Sequence, residues 1–334
     1  MGQLLLAGFR GTAVERNQEV DALLCEVRVG GIVLFEGANI ESPAQLAALT
    51  ADLQRRARAC TGRPLLIAVD AEGGGVMRLS PRAGWAPTFS HHELGETNDV
   101  ALTELEARRI GGMLRDAGIN WNLAPVVDVG YNPANPLIVG RGRSFAANPA
   151  RVTAQARAYL TGMRASGILT TLKHFPGHGS SYADSHLGFV DVTETANPEI
   201  ELAPYRALLA DGLVDSVMTA HVFNRHLDPH FPATLSRATL TGLLRDDLHF
   251  EGVIVSDDMQ MGAITTRYGL AQAAVQAIDA GVDMLLISED RPDGGPSIAA
   301  ATLAALRSAV LDGRLADERV AASLLRIGRL KERP

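Results

Sequence analysis

Eight short apolar runs recur along the 334-residue chain: QLLLAGF (3–9), GIVLF (31–35), LLIAVD (65–70), NWNLAPV (120–126), LTTLKHF (169–175), SVMTAHV (216–222), GVIVSD (252–257) and MLLIS (284–288). Runs that are continuously apolar, rather than alternating, suit strands buried on both faces. Between most of them lie stretches with helical spacing and good helix formers: 43–59, 100–117, 148–166, 200–212, 238–247, 270–280, 297–311 and 316–330. Strands that alternate with amphipathic helices build a parallel sheet covered by helices, and eight such units close a barrel. An open doubly wound sheet has the same alternation, which periodicity cannot separate; strand count and chain length favour the barrel. The expected fold is α/β, a (β/α)8 TIM-type barrel forming a single domain over residues 1–334. The longest Gly/Pro-containing stretches, 71–90, 128–147 and 176–198, each follow an expected strand and read as elaborated βα loops.

Composition narrows the partners. Apolar residues make up 46% of the chain and aromatics only 5%, so the core rests on aliphatic side chains and alanine. With 31 Lys+Arg against 38 Asp+Glu the net charge is −7, and no basic stripe tracks a phosphate backbone, so nucleic acid is not an expected partner. Cys25 and Cys60 are too few for a disulfide framework or a structural zinc site. A single bridge stays open as an alternative, but a reducing cytoplasm is the expectation. The start, MGQLLLAGFRGTAVERN, lacks a basic n-region and a cleavage site, so Leu4 to Phe9 reads as a strand and not as an export signal. Neither membrane association nor an oligomer is expected.

In a barrel, the residues closing each strand face the active site. Here they are polar: Asp70, Asp128, Lys173, His174, His221, Asp257 and Ser288, joined from the following loops by Arg78, Arg143, His178, Asp184 and His186. Desolvating unpaired charge is costly, so crowding ionisable groups at one face points to a polar substrate.

Lys173 to His186 is the densest segment, with three of the nine histidines in KHFPGHGSSYADSH. Pro176, Gly177 and Gly179 prevent a helix and make a flexible loop. In an extended stretch Asp184 and His186, two apart, project to the same side. A carboxylate so placed fixes one imidazole tautomer and raises the basicity of the other nitrogen, as an acid/base pair requires. A metal site is the competitor, but Pro-Gly between His174 and His178 forbids the helical spacing such a site uses best. In GVIVSDDMQMGA (252–263) one of two adjacent aspartates suits a helix cap, and the other a nucleophile toward an anomeric carbon. Asp70 and Arg78 suit bidentate hydrogen bonds to vicinal hydroxyls.

Taken together, the GQLLLAGFRGT start, GGIVLFEGANIESPAQL (30–46), VDAEGG (69–74), LAPVVDV (123–129), GRSF (142–145), KHFPGHG with DSH (173–179, 184–186), DSVMTAHV (215–222), PATLS (232–236) and GVIVSDDM (252–259) resemble glycoside hydrolase family 3, in its single-domain bacterial β-N-acetylglucosaminidase branch. The resemblance implies a retaining enzyme that removes a terminal N-acetylhexosamine from muropeptide or chitin-type fragments. It implies Asp257 as nucleophile, His186 as acid/base assisted by Asp184, and Asp70, Arg78, Arg143, Lys173 and His174 as sugar ligands, with no metal or cofactor. Two positions depart from the family pattern: Gly75 stands where an arginine is common, and the dyad is preceded by GSSYA. A phosphorylase and a metal-dependent barrel hydrolase remain the alternatives.

Overall fold

Leu5–Ala7 (β1) is bonded on one side to Gly31–Leu34 (β2) and on the other to Met284–Ile287 (β8), so the first and last strands of the sheet meet. That closure excludes the open sheet. Between them run Leu66–Val69 (β3), Trp121–Asn122 (β4), Leu169–Phe175 (β5), Ser216–Thr219 (β6) and Val253–Asp258 (β7), each paired in parallel with its sequence neighbours in one closed barrel. The computed structural model describes residues 1–333. All eight expected strands are present. β4 is cut short because Pro125 offers no N–H, and pairing with β5 resumes only as an isolated bridge from Val126 to Lys173.

The helices begin and end where local chemistry dictates. Ser42 accepts the Gln45 N–H ahead of Pro43–Thr61, Pro43 occupies the first turn, and Gly62 closes the helix at φ 70°. Asp99 and Asn148 cap Val100–Asp116 and Pro149–Ala165 in the same way. The sequence reading missed Gln18–Asp21, which continues as a π-helical turn through Val27, because the segment is short and ends on left-handed Arg28 with no glycine to signal its stop. It also missed His91–Thr97, a short helix started by a Ser90–Glu93 capping box inside the loop after β3.

Cys25 and Cys60 are joined by a disulfide, their Cα atoms 4.9 Å apart, which ties the first helical turn to the end of the 43–61 helix. The single bridge that the sequence left open is present. Spacing of 35 residues says nothing about pairing until the two helices are placed side by side.

Inside the barrel the Trp121 indole donates to Thr171 Oγ1 at 2.8 Å and Ser216 Oγ at 3.2 Å. Toward the N-terminal end, buried Asp283 holds Arg245, Arg319 and Arg326 at 2.6, 3.0 and 3.2 Å and accepts the Ile254 N–H and the Ser323 hydroxyl. Removing its carboxylate strands three cations in a poorly solvated place. Asp283→Ala is expected to cost about 3–5 kcal/mol, read as a lower urea midpoint with an unchanged slope.

Candidate active site

The irregularities in the barrel fall where the chemistry is expected. Register shifts between Leu172 and Phe175 on β5, and between Val255 and Asp258 on β7, re-aim the side chains closing these strands. Of the eight residues expected at the site, Asp70, Arg78, Arg143, Lys173, His174, His186 and Asp257 line one cavity of about 280 Å³ at the C-terminal mouth. Asp184 stands behind His186.

One wall is a buried charge cluster. Lys173 Nζ lies 2.8 Å from Asp70 Oδ1 and 2.7 Å from Glu72 Oε1, while Arg143 grips Glu72 through two bonds of 2.9 and 2.7 Å. Burial alone would raise the Asp70 and Glu72 pKa values. Lys173 and Arg78 beside Asp70, and Arg143 and Lys173 beside Glu72, hold both below the usual carboxylate range, Glu72 well below. Burial would likewise discharge Lys173, but Asp70 and Glu72 keep it protonated. The wall therefore presents fixed donors and acceptors, as recognition of sugar hydroxyls needs. Arg78 reaches Asp70 at 3.6 Å and lies over the Phe35 ring.

His174 joins the same wall through Asp128, whose Oδ2 is 2.6 Å from Nδ1 and whose Oδ1 accepts the His178 N–H at 2.8 Å. Arg143 approaches the His174 Nε2 at 3.4 Å. His178 points elsewhere: its ring is buried between the hydroxyls of Ser181 and Ser185, and burial pushes its pKa down to about 4, which keeps it neutral. The three histidines of this segment thus serve three environments. Among the described residues no three His, Cys, Asp or Glu side chains converge as a metal cage.

The opposite side carries the aspartates of β7, and their surroundings separate them. Asp258 is tied down: Ser288 donates its hydroxyl to Oδ2 at 2.5 Å, and the Gln260 and Ser288 N–H groups reach Oδ1. The helix cap expected of one of the pair is not formed, since Gly262–Thr265 starts at Met261 without a side-chain cap; Asp258 closes a local turn instead, and burial raises its pKa. Among the described residues Asp257 accepts only the Asp258 N–H, at Oδ1, and it lines the cavity with Oδ2 unbonded. Burial would raise its pKa too, yet His174 and His221 nearby hold it below the usual value. His221 also fixes the strand end, its Nε2 bonded to the Asp258 carbonyl and its Nδ1 to Thr234.

His186 projects from the loop after β5 with Nδ1 2.7 Å from Asp184 Oδ1. The same carboxylate oxygen accepts the His186 N–H at 2.9 Å, so an Asx-type turn pairs the two and the extended stretch expected from the sequence is corrected. Arg141 stands 3.9 Å from the other Asp184 oxygen. The loop is less free than its glycines suggest. Asn132 and Asn135 bond the carbonyls of residues 178–181, and the turn after β7 donates its Gly262 and Ala263 N–H groups to His186 and Ser185. This seam leans the dyad toward Asp257.

Residues 1–330 match the family described as "Glycosyl hydrolase family 3 N terminal domain". The chain belongs to glycosyl hydrolase family 3. It is 34% identical to beta-hexosaminidase A of Pseudoalteromonas piscicida over 94% of its length and 55% of that protein. The structure of a family 3 beta-N-acetylglucosaminidase from Paenibacillus superposes with a TM-score of 0.92 at 40% identity, covering 99% of this chain and 61% of that one. A beta-N-acetylhexosaminidase from Beutenbergia cavernae superposes with a TM-score of 0.87 at 34% identity, covering 99% and 96%. The chain therefore spans little more than half of the first two relatives and nearly all of the third.

Three members of this family 3 site went unassigned in the sequence reading. Glu72 lies within the quoted VDAEGG motif, but its ion pairs join residues some 70 or more positions apart and have no local signal. Asp128 and His221 were visible as strand-end residues without a stated task. Gly75, where an arginine is common, is exposed, and a Cβ there would meet nothing within 4 Å.

Beneath the loop, Glu201 is buried against Gly177 with one oxygen unpartnered, and burial raises its pKa to about 7. A carboxyl raised in the folded state stabilises fully below its unfolded value and loses that contribution as pH climbs through about 7. Glu201→Gln is expected to melt above the parent at pH 8, with the gap closing by pH 5; equal Tm profiles would contradict this assignment.

Proposed function

We propose that the chain is a retaining exo-β-N-acetylglucosaminidase acting on chitin-type or muropeptide fragments, with Asp257 as nucleophile and His186 as acid/base. The observation that carries this reading is that Asp257 and His186, the latter paired with Asp184, line one cavity together with the Asp70–Glu72–Arg143–Lys173–His174 cluster. That wall, with Arg78, holds the terminal sugar by its hydroxyls. Asp257 attacks the anomeric carbon while protonated His186 gives its proton to the leaving oxygen. Neutral His186 then deprotonates water, which displaces Asp257 with net retention. Asp184 holds the imidazole in place and stabilises its charged form. The relatives' names support N-acetylglucosamine as the sugar.

Turnover of 4-nitrophenyl N-acetyl-β-glucosaminide tests the reading, and absence of turnover would sink it. Run with added phosphate, the same assay distinguishes hydrolysis, which gives the free sugar, from phosphorolysis, which gives a sugar 1-phosphate. As for location, among the described residues no helix is long and apolar enough to cross a membrane. The bonded Cys25–Cys60 pair favours an oxidising compartment over the cytoplasm expected from the sequence. Free thiols found on trapping the protein from its native compartment would restore the cytoplasmic assignment.

A further inference from the structure

A second hollow of about 560 Å³ opens beside the catalytic cavity, between the C-terminal ends of β1, β2 and β8, and shares Phe35 and Ser288 with it. Around the barrel, the buried cluster comes from β3 and β5 and the loops after β3 and β4, whereas Asp257 closes β7. A ring held by its hydroxyls at the cluster, with its anomeric carbon at Asp257, directs its leaving group away from β3–β5. The loop carrying the dyad leaves β5 and is bonded through the Ser185 and His186 carbonyls to the turn after β7, so it reaches across toward Asp257. The open sector beyond is the one containing this hollow.

We infer that this hollow is the aglycone subsite and that it accepts an uncharged pyranose in preference to an acidic one; the inference rests on the glycosidase reading above. Half-buried Phe35, whose ring borders both spaces, offers an apolar surface to the C–H face of a sugar. Arg10 is already paired with Glu289 across the hollow, and Glu36 adds a carboxylate that accepts the Ser80 hydroxyl. Sugar hydroxyls can donate to these carboxylates. An acidic side group meets two carboxylates and one engaged arginine, which disfavours it.

The test uses three substrates: N-acetyl-β-glucosaminyl fluoride, whose leaving group is one atom; N-acetylglucosaminyl-β-1,4-N-acetylglucosamine; and the same disaccharide with muramic acid at the reducing end. Ala38 lines only the second hollow of the two. In Ala38→Trp the ratio of kcat/KM for the neutral disaccharide to that for the fluoride is expected to fall about tenfold or more. The parent protein is expected to prefer the neutral over the acidic disaccharide by about tenfold, with Glu36→Gln narrowing the gap. An unchanged ratio in Ala38→Trp with fluoride turnover retained, or a parent preference for the acidic disaccharide, overturns the inference. If Ala38→Trp fails to fold, fluoride turnover disappears and the parent and Glu36→Gln comparison still decides. A parent that cleaves neither the fluoride nor either disaccharide overturns the glycosidase reading itself, and the inference with it.

Discussion

Asp257→Asn is expected to lower kcat/KM on 4-nitrophenyl N-acetyl-β-glucosaminide by at least about 10³-fold, because a neutral amide cannot form the acylal-type bond to the anomeric carbon. The change is nearly isosteric, and its carbonyl can still accept the Asp258 N–H, so the strand end should keep its shape. Asp258→Asn is the control. Its carboxylate is engaged by Ser288 and the Gln260 N–H, so loss there should be far smaller and appear partly as lower stability. A larger loss at Asp258 than at Asp257 would reverse the assignment.

His186→Ala should divide substrates by leaving group. Proton donation to the departing oxygen is worth about 10²–10⁴-fold, and a sugar alkoxide needs it. A 2,4-dinitrophenolate departs unaided, so glycosylation with that substrate should fall much less, and the slow step should become hydrolysis of the intermediate. Added azide, which needs no general base, should then restore turnover and give the β-azide. Asp184→Asn should follow the same pattern more weakly, because it leaves the imidazole but removes the charge at 2.7 Å that holds it and stabilises its protonated form. Equal losses on both substrates, with no azide rescue, would mean that His186 acts only through the loop.

The barrel was legible because its strands are buried on both faces, and that burial writes continuous runs such as GIVLF and MLLIS into the sequence. The helix from Gln18 was not, since its helical spacing is brief and its end on Arg28 carries no stop signal. The site was legible as residue types closing strands. Its internal wiring was hidden, because Glu72 with Lys173, and Asp128 with His174, meet only after the chain has closed around the barrel. The dyad was found from its two-residue spacing, although the reason differs: an Asx-type turn, and not an extended stretch, brings the two together. Choosing between Asp257 and Asp258 by residue chemistry was impossible from sequence, where both simply follow an apolar strand. Ser288, contributed by the neighbouring strand end, separates them by occupying Asp258. Cysteine pairing was hidden for the same reason as the ion pairs.

In the proposed mechanism Asp257 carries the sugar during turnover. Incubation with 5-fluoro-N-acetylglucosaminyl fluoride, whose ring fluorine slows breakdown of the intermediate, followed by proteolysis and mass spectrometry, reads this directly. One sugar adduct per chain is expected, on the peptide containing residues 252–261 and located at Asp257. An adduct at Asp258 or at any other residue, or rapid release of fluoride with no adduct, would contradict it.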